Sequence, residues 1–267
     1  MRIEDHKSLN LGGRLVELSE PVVMGIVNVT PDSFYAQSRT QTEGDIARRT
    51  EQILSEGGTM VDVGACSTRP GSEPASEEEE TERLERALKV VRNVAPDAIL
   101  SVDTFRARVA ERMADKFGPI IVNDVTGGQD PEMFPLVARM GLPYILTDTG
   151  NRTLSMGFAQ ALAELRRLGQ RDIIADPGFG FGKTLDENYQ VMGELEAYRE
   201  LDLPLLVGVS RKSMIYKLLG TTPDEALNGT TVLHTLALVA GAHILRVHDV
   251  AATVEAIRIV EKIIRNS

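Results

Sequence analysis

A (β/α)8 barrel is the fold this sequence predicts, and three observations predict it. Short apolar runs alternate with longer amphipathic segments along nearly the whole chain. Glycine or proline precedes most of the apolar runs, where a left-handed residue can end a helix. The residues that follow the runs are mostly polar or charged. Short and apolar throughout is how a strand reads when helices cover both faces of a parallel sheet. Eight such units fill about 250 residues as a closed barrel, with an open doubly wound sheet as the alternative.

Taken in order, residues 1–20 form an extension in which SLNLGGRLVELS predicts a β-hairpin turning at Gly12 and Gly13, placed to plug the bottom of the barrel. Strands are predicted over 22–27, 60–64, 98–102, 119–122, 143–146, 172–175, 204–209 and 243–247. Helices are predicted over 42–56, 77–94, 106–117, 131–140, 153–168, 184–201, 212–241 and 250–265. Gly57, Gly58, Gly118, Gly141 and Gly169 mark helix stops, and Ser76 with Glu79 and Thr184 with Glu187 read as capping boxes. No linker or composition break divides the chain, so residues 1–267 are expected as one domain.

Composition narrows the function classes. At 42% hydrophobic and 25% charged residues the chain reads as a soluble globular protein, and a net charge of −10 argues against a broad nucleic-acid or membrane-surface binder. Any anionic ligand must then be met by local cations. Cys66 is the single cysteine, which removes intramolecular disulfides and thiolate zinc clusters and fits a reducing compartment, the cytoplasm. The first ten residues are too polar for a secretory signal, and the uncharged stretch 226–245 carries Asn228, His234 and His243, as a buried helix and strand would.

In a barrel, the residues after the strands converge on one rim. Here they are Asn28, Asp62, Asp103, Asn123, Asp124, Thr147, Asp148, Asp176, Ser210, Arg211, Lys212, Ser213, Arg246, His248 and Asp249, with the Ser67-Thr68-Arg69 loop. A single Asp at a strand end is ordinarily a cap or a loop partner; so many together point to a site. Asp103, Asn123 and Asp176 suit a flat heterocycle with several ring N–H groups. Arg69, Lys212 and Arg246, with His248, suit phosphate or carboxylate, helped by the helix beginning near Lys212 and Ser213. The run GFGFGKT at 178–184 is not a phosphate-binding loop, because Pro177 stands where that pattern needs glycine.

Seven segments then carry a resemblance: GIVNVTPDSF (25–34), CSTRPGS (66–72), SVDTF (101–105), VNDVTGG (122–128), ADPGFGFGKT (175–184), GVSRKS (208–213) and RVHDV (246–250). In this order, and all at predicted strand ends, they resemble the dihydropteroate synthase family of pterin-binding barrels. The resemblance implies condensation of 6-hydroxymethyl-7,8-dihydropterin diphosphate with p-aminobenzoate, releasing diphosphate, in folate biosynthesis, by an enzyme that sulfonamides target. It implies a pterin pocket of Asp103, Asn123, Asp176 and Lys212, with Val125 and Gly208 among the contacts and Arg246 beside the ring. It implies an anion site of Arg246 and His248, a second loop of Thr68, Arg69 and Pro70, and Ser213 with Phe181 near p-aminobenzoate. Arg69, Lys212, Arg246 and His248 are the expected catalytic set. Asn28 would help hold Mg2+, and a homodimer is expected.

The chain departs from the family pattern in three places. Thr147-Asp148-Thr149 replaces Met-His-Met, Tyr35-Ala36-Gln37-Ser38 replaces Ser-Asp-Gly-Gly, and Ala65-Cys66 stands where Gly and Glu are common. Two other readings follow from these departures and from the shared fold: a pterin-binding paralogue weak or inactive in catalysis, and a methyltetrahydrofolate-type methyltransferase.

Overall fold

The structure is a computed structural model that describes residues 7–30, 42–66 and 75–266. Strands β1 (Ser8–Leu11) and β2 (Arg14–Glu17) pair antiparallel as the predicted hairpin. Gly12 and Gly13 make its turn at φ of 60° and 91°, a region that costs glycine little. The barrel strands are β3 (Val22–Asn28), β4 (Met60–Gly64), β5 (Ile99–Asp103), β6 (Ile121–Asp124), β7 (Tyr144–Thr147), β8 (Ile173–Asp176), β9 (Leu206–Val207) and β10 (Ile244–Val247). They run parallel in the order β8-β7-β6-β5-β4-β3-β10-β9. A lone bridge between Ala175 and Leu205 joins the two ends of the sheet, so the ring is nearly closed.

Around it lie α1 (Glu43–Ser55), α2 (Glu77–Val94), α3 (Ala107–Phe117), α4 (Met133–Met140), α5 (Met156–Arg167), α6 (Leu185–Gly193), α7 (Ser213–Leu219), α8 (Leu227–Val239) and α9 (Val250–Ile264). Both predicted capping boxes form, and Thr42 with Asp45 makes a third at the start of α1. Among the described residues no helix is long and apolar enough to cross a membrane.

Several predicted boundaries are corrected. Five strands end later than predicted, at Asn28, Asp103, Asp124, Thr147 and Asp176, because the backbone ladder continues through the polar residue that closes each apolar run. The strand predicted over 204–209 shrinks to Leu206–Val207. The helix predicted over 212–241 is two: Gly220 ends α7 in the left-handed region, and Pro223 starts a short 3-10 turn before α8. The helix predicted over 184–201 gives way after α6 to a 3-10 segment, Leu195–Leu201. Gly58 has no left-handed φ; its role is close approach, since a Cβ there would lie 2.7 Å from the Ile53 carbonyl oxygen.

Side chains along each strand alternate between the helix layer and the barrel interior. One interior level is wholly apolar: Met24, Met60, Ile99, Ile121, Ile145, Ile174, Leu206 and Ile244, one per strand, packed on Leu9, Leu11, Val16 and Leu18 of the hairpin segment. The hairpin is therefore the predicted plug. Two residues further along the strands the interior changes character to Ile26, Asp62, Ser101, Asn123, Thr147, Asp176, Gly208 and Arg246. That change is what creates a site.

Candidate active site

Period-two alternation from the apolar floor turns Asp62, Ser101, Asn123, Asp176 and Arg246 inward, and Asp103 follows one level higher on β5. These side chains meet. The Arg246 guanidinium donates from Nε to Asp62 Oδ2 at 2.7 Å and from Nη2 to Asp103 Oδ2 at 2.8 Å. Ser101 Oγ donates to Asp62 Oδ1 at 2.5 Å, and Asn123 Nδ2 approaches both Asp62 oxygens at 3.3 and 3.4 Å. Asp62 is fully buried, and a carboxylate so placed needs this many donors.

Lys212 reaches the same space from the start of α7. Its Nζ donates to the Phe179 carbonyl and lies 4.5 Å from the centroid of the Phe181 ring. Glycines keep the passage open: a Cβ at Gly208 would sit 4.0 Å from Lys212 Nζ and 3.9 Å from the Arg246 Cβ. Asp176 accepts from the Gly178 amide at 2.9 Å, which shapes the loop leading to Phe181. Asn188 accepts from Gly180 N at 2.7 Å and holds that loop from α6.

Charge states follow from this enclosure. Burial, with Asp62 and Glu80 nearby, pushes the Asp103 carboxyl up to about 7 against the downward pull of Arg246. Burial also raises Asp176, with Lys212 opposing. The Lys212 ammonium is brought down to about 8 by burial, and Arg246 adds to the fall while Asp176 resists it. Arg246 moves up, because Asp62 and Asp103 outweigh its own burial.

His248 is corrected in character. Burial first, then Arg246, Arg49, Arg211 and Lys212, bring its imidazole down to about 3, so it stands at the rim as a neutral ring and not as the cation expected from sequence. Its backbone is fixed, with its amide donating to Ser210 Oγ and its carbonyl accepting from Arg49 Nη2 at 2.6 Å.

Other strand-end residues turn away from the cup. Asp124 accepts from the Thr126 and Gly128 amides and from the Tyr144 hydroxyl, closing its own turn. Asp148 accepts from Ser155 and from the Tyr198 hydroxyl. Arg211, at φ 53°, forks onto Asp249 and donates to the carbonyls of Pro223 and Asp224. These residues build loops, and only Lys212 of the Arg211-Lys212 pair faces the site. Lys183 likewise donates to the carbonyls of Asp148 and Gly178.

Of the predicted site residues, the structure brings together Asp103, Asn123, Asp176, Lys212, Phe181, Gly208 and Arg246, with Asn28 and His248 on the rim. Asn28 Oδ1 and Asp103 Oδ2 both lie 3.5 Å from where a Gly64 Cβ would be, so they flank one glycine gap. Val125 is buried just past the end of β6, and Ser213 opens α7. Thr68, Arg69 and Pro70 lie outside the described residues. Ser101 is the site residue that sequence selection passed over, and Asp62, though named at the rim, was left out of the set assigned to the heterocycle. Both were legible as the second interior position counted from Met60 and from Ile99.

The family model described as pterin binding enzyme matches residues 24–248. The dihydropteroate synthase of Escherichia coli is 39% identical over 93% of this chain and 94% of its own length. The chain belongs to the dihydropteroate synthase family of pterin binding enzymes. The Yersinia pestis synthase, solved with a sulfonamide drug, superposes with a TM-score of 0.87 at 36% identity over 98% of this chain and all of its own. The Coxiella burnetii synthase, solved with pteroic acid, matches at TM-score 0.87 and 32% identity, covering 96% of this chain and 98% of its own. The Xanthomonas albilineans synthase, solved with 4-aminobenzoic acid, matches at TM-score 0.85 and 34% identity, covering 97% and 98%. The enzyme class and the barrel expected from sequence are thereby met, and a methyltransferase reading finds no support among these relatives.

Proposed function

We propose that this chain joins 6-hydroxymethyl-7,8-dihydropterin diphosphate to p-aminobenzoate, giving 7,8-dihydropteroate and diphosphate in folate biosynthesis. One observation carries the reading: the Asp62–Arg246–Asp103 network, Asn123, Asp176 and Lys212 converge in one polar cup above an apolar floor. In-plane acceptors and donors at the base of the cup suit the pterin edge. Arg246 is then the group that keeps two buried carboxylates compatible, in addition to lying beside the ring.

In the reaction the bond from the pterin methylene to the diphosphate oxygen breaks, and charge separation is the costly event. Lys212, the neutral His248 as a hydrogen-bond donor and, from the second loop, Arg69 would stabilise the departing anion. The arylamine nitrogen then bonds to the methylene and releases a proton, with its carboxylate held near Ser213 and its ring against Phe181. Holding both partners in one cup makes the attack effectively intramolecular.

The donor set at the rim fits a magnesium ion that takes most of its ligands from diphosphate and water. Among the described residues no group of three His, Cys, Asp or Glu side chains could hold a metal, but Asn28 offers an amide oxygen beside the glycine gap. Such an ion, when bound, would neutralise charge on the diphosphate oxygens.

A homodimer is proposed through α7 and α8, where Leu218, Val232, Leu236 and Val239 are each more than half exposed around a groove of about 600 Å³. Light scattering tests this, with dimer expected for the natural chain and monomer for Leu236→Glu. The single Cys66 thiol supports the cytoplasm as its location.

The deciding experiment incubates the protein with the pterin diphosphate, Mg2+ and p-aminobenzoate and follows dihydropteroate and diphosphate together. Equimolar formation of both is expected. Pterin binding without turnover would instead support the inactive paralogue, and absence of both would overturn the reading.

A further inference from the structure

We propose that Thr147 is a specificity-determining residue of the heterocycle pocket, its hydroxyl hydrogen-bonding the same polar edge that Asp176 and Asn123 grip. The proposal rests on the pterin reading above. Thr147 closes β7 two residues after Ile145 of the apolar floor, so its side chain turns into the barrel. It pairs in register with Asp176 on β8, and in a parallel pair matched residues present their side chains to the same face. Its exposure is 2%, against 2% for Asn123 and 6% for Asp176, so a ligand that reaches those two side chains arrives at the depth of Thr147.

What separates Thr147 from its neighbours is its hydroxyl. Thr147 Oγ1 is buried and makes no hydrogen bond among the described residues. Its methyl is accounted for, since Cγ2 lies 3.0 Å from where a Cβ at Gly178 would stand, which sets that branch against the turn after β8. Burying an unanswered hydroxyl costs free energy, about 1–3 kcal/mol for such a group. A bound heterocycle that answers it recovers that loss, and the pocket discriminates against ring systems that cannot. A hydroxyl both donates and accepts, so it complements an edge on which the neighbouring carboxylate can only accept.

Calorimetric titration with the pterin diphosphate, without p-aminobenzoate, tests the assignment on Thr147→Val and Thr147→Ser. Valine keeps the shape and removes the hydroxyl; serine keeps the hydroxyl. Thr147→Val is expected to bind the pterin about tenfold more weakly, with KM for p-aminobenzoate unchanged and the ligand-free melting temperature equal to or above that of the natural chain. Thr147→Ser is expected to bind within about twofold of the natural chain. Equal pterin affinity in Thr147→Val overturns the assignment and leaves the proposed reaction standing. A lowered ligand-free melting temperature in Thr147→Val also overturns it, since the hydroxyl would then serve the fold. No pterin binding by the natural chain overturns both.

Discussion

The two interior levels of the barrel are built from the same eight strands, two residues apart, and solve opposite problems. The lower one is eight apolar side chains sealed by the hairpin, held by burial alone. The upper one places acids, amides and a guanidinium where burial by itself is unfavourable, and it survives because Arg246 answers Asp62 and Asp103 at once. The lower level is stability without chemistry. The upper level is chemistry held in place by mutual charge, and the comparison predicts that substitutions at the two levels will separate folding from binding.

Asp62→Ala is expected to have the largest effect, because it strands Arg246, Ser101 and Asn123 in a buried space. Thermal or urea unfolding should show a loss of about 3–5 kcal/mol, with pterin binding lost as well. Were stability unchanged, the upper level would not depend on its charges. Ile174→Ala at the lower level should cost about 2–5 kcal/mol of unfolding free energy through the cavity it leaves. Its pterin affinity, measured where the variant is folded, should match the natural chain.

Asp176→Ala reverses that pattern. Its buried carboxylate is held above the ordinary range, so its removal should leave unfolding free energy near or above the natural value. Pterin affinity should fall about 10- to 100-fold, the range for a charge-assisted hydrogen bond.

The smallest effect is a pH dependence. Lys212 sits at about 8 in the folded chain against 10.5 when unfolded, so between those values the unfolded chain binds the extra proton and folding stability rises with pH. Over the same window the cup loses a cation, and pterin affinity should decline by about tenfold or less. Lys212→Arg should remove both trends.

The barrel was legible because parallel strands covered by helices read as uninterrupted apolar runs, and the plug because its alternation flanks a Gly-Gly turn. Reading by apolar composition misled at the strand ends. It stopped short of the polar residues that close the runs, whereas the ladder runs on through Asp103, Asp124, Thr147 and Asp176. Asp62, a charge inside MVDVG, was placed at the rim by position alone, and its role at the base of the cup follows from counting by twos from Met60. Asp124, Asp148 and Arg211 were drawn into the rim by position along the chain, although their partners lie in loops of their own. His248 kept its place and lost its charge, because burial first, and then the arginines and lysine around it, discourage it from accepting a proton.

The seam between β8 and β9 is the most thinly held join of the ring. Only the Ala175–Leu205 bridge joins those strands, and β9 has two residues, whereas β3 and β4 pair over five. Deuterium uptake at the backbone amides of 205–208 should therefore outrun that of β3 to β6 in the ligand-free chain. Because Asp176, Gly208 and Lys212 border this seam, occupancy of the cup should slow the exchange there most, so the weakest join in the ring doubles as a reporter of whether the pocket is filled.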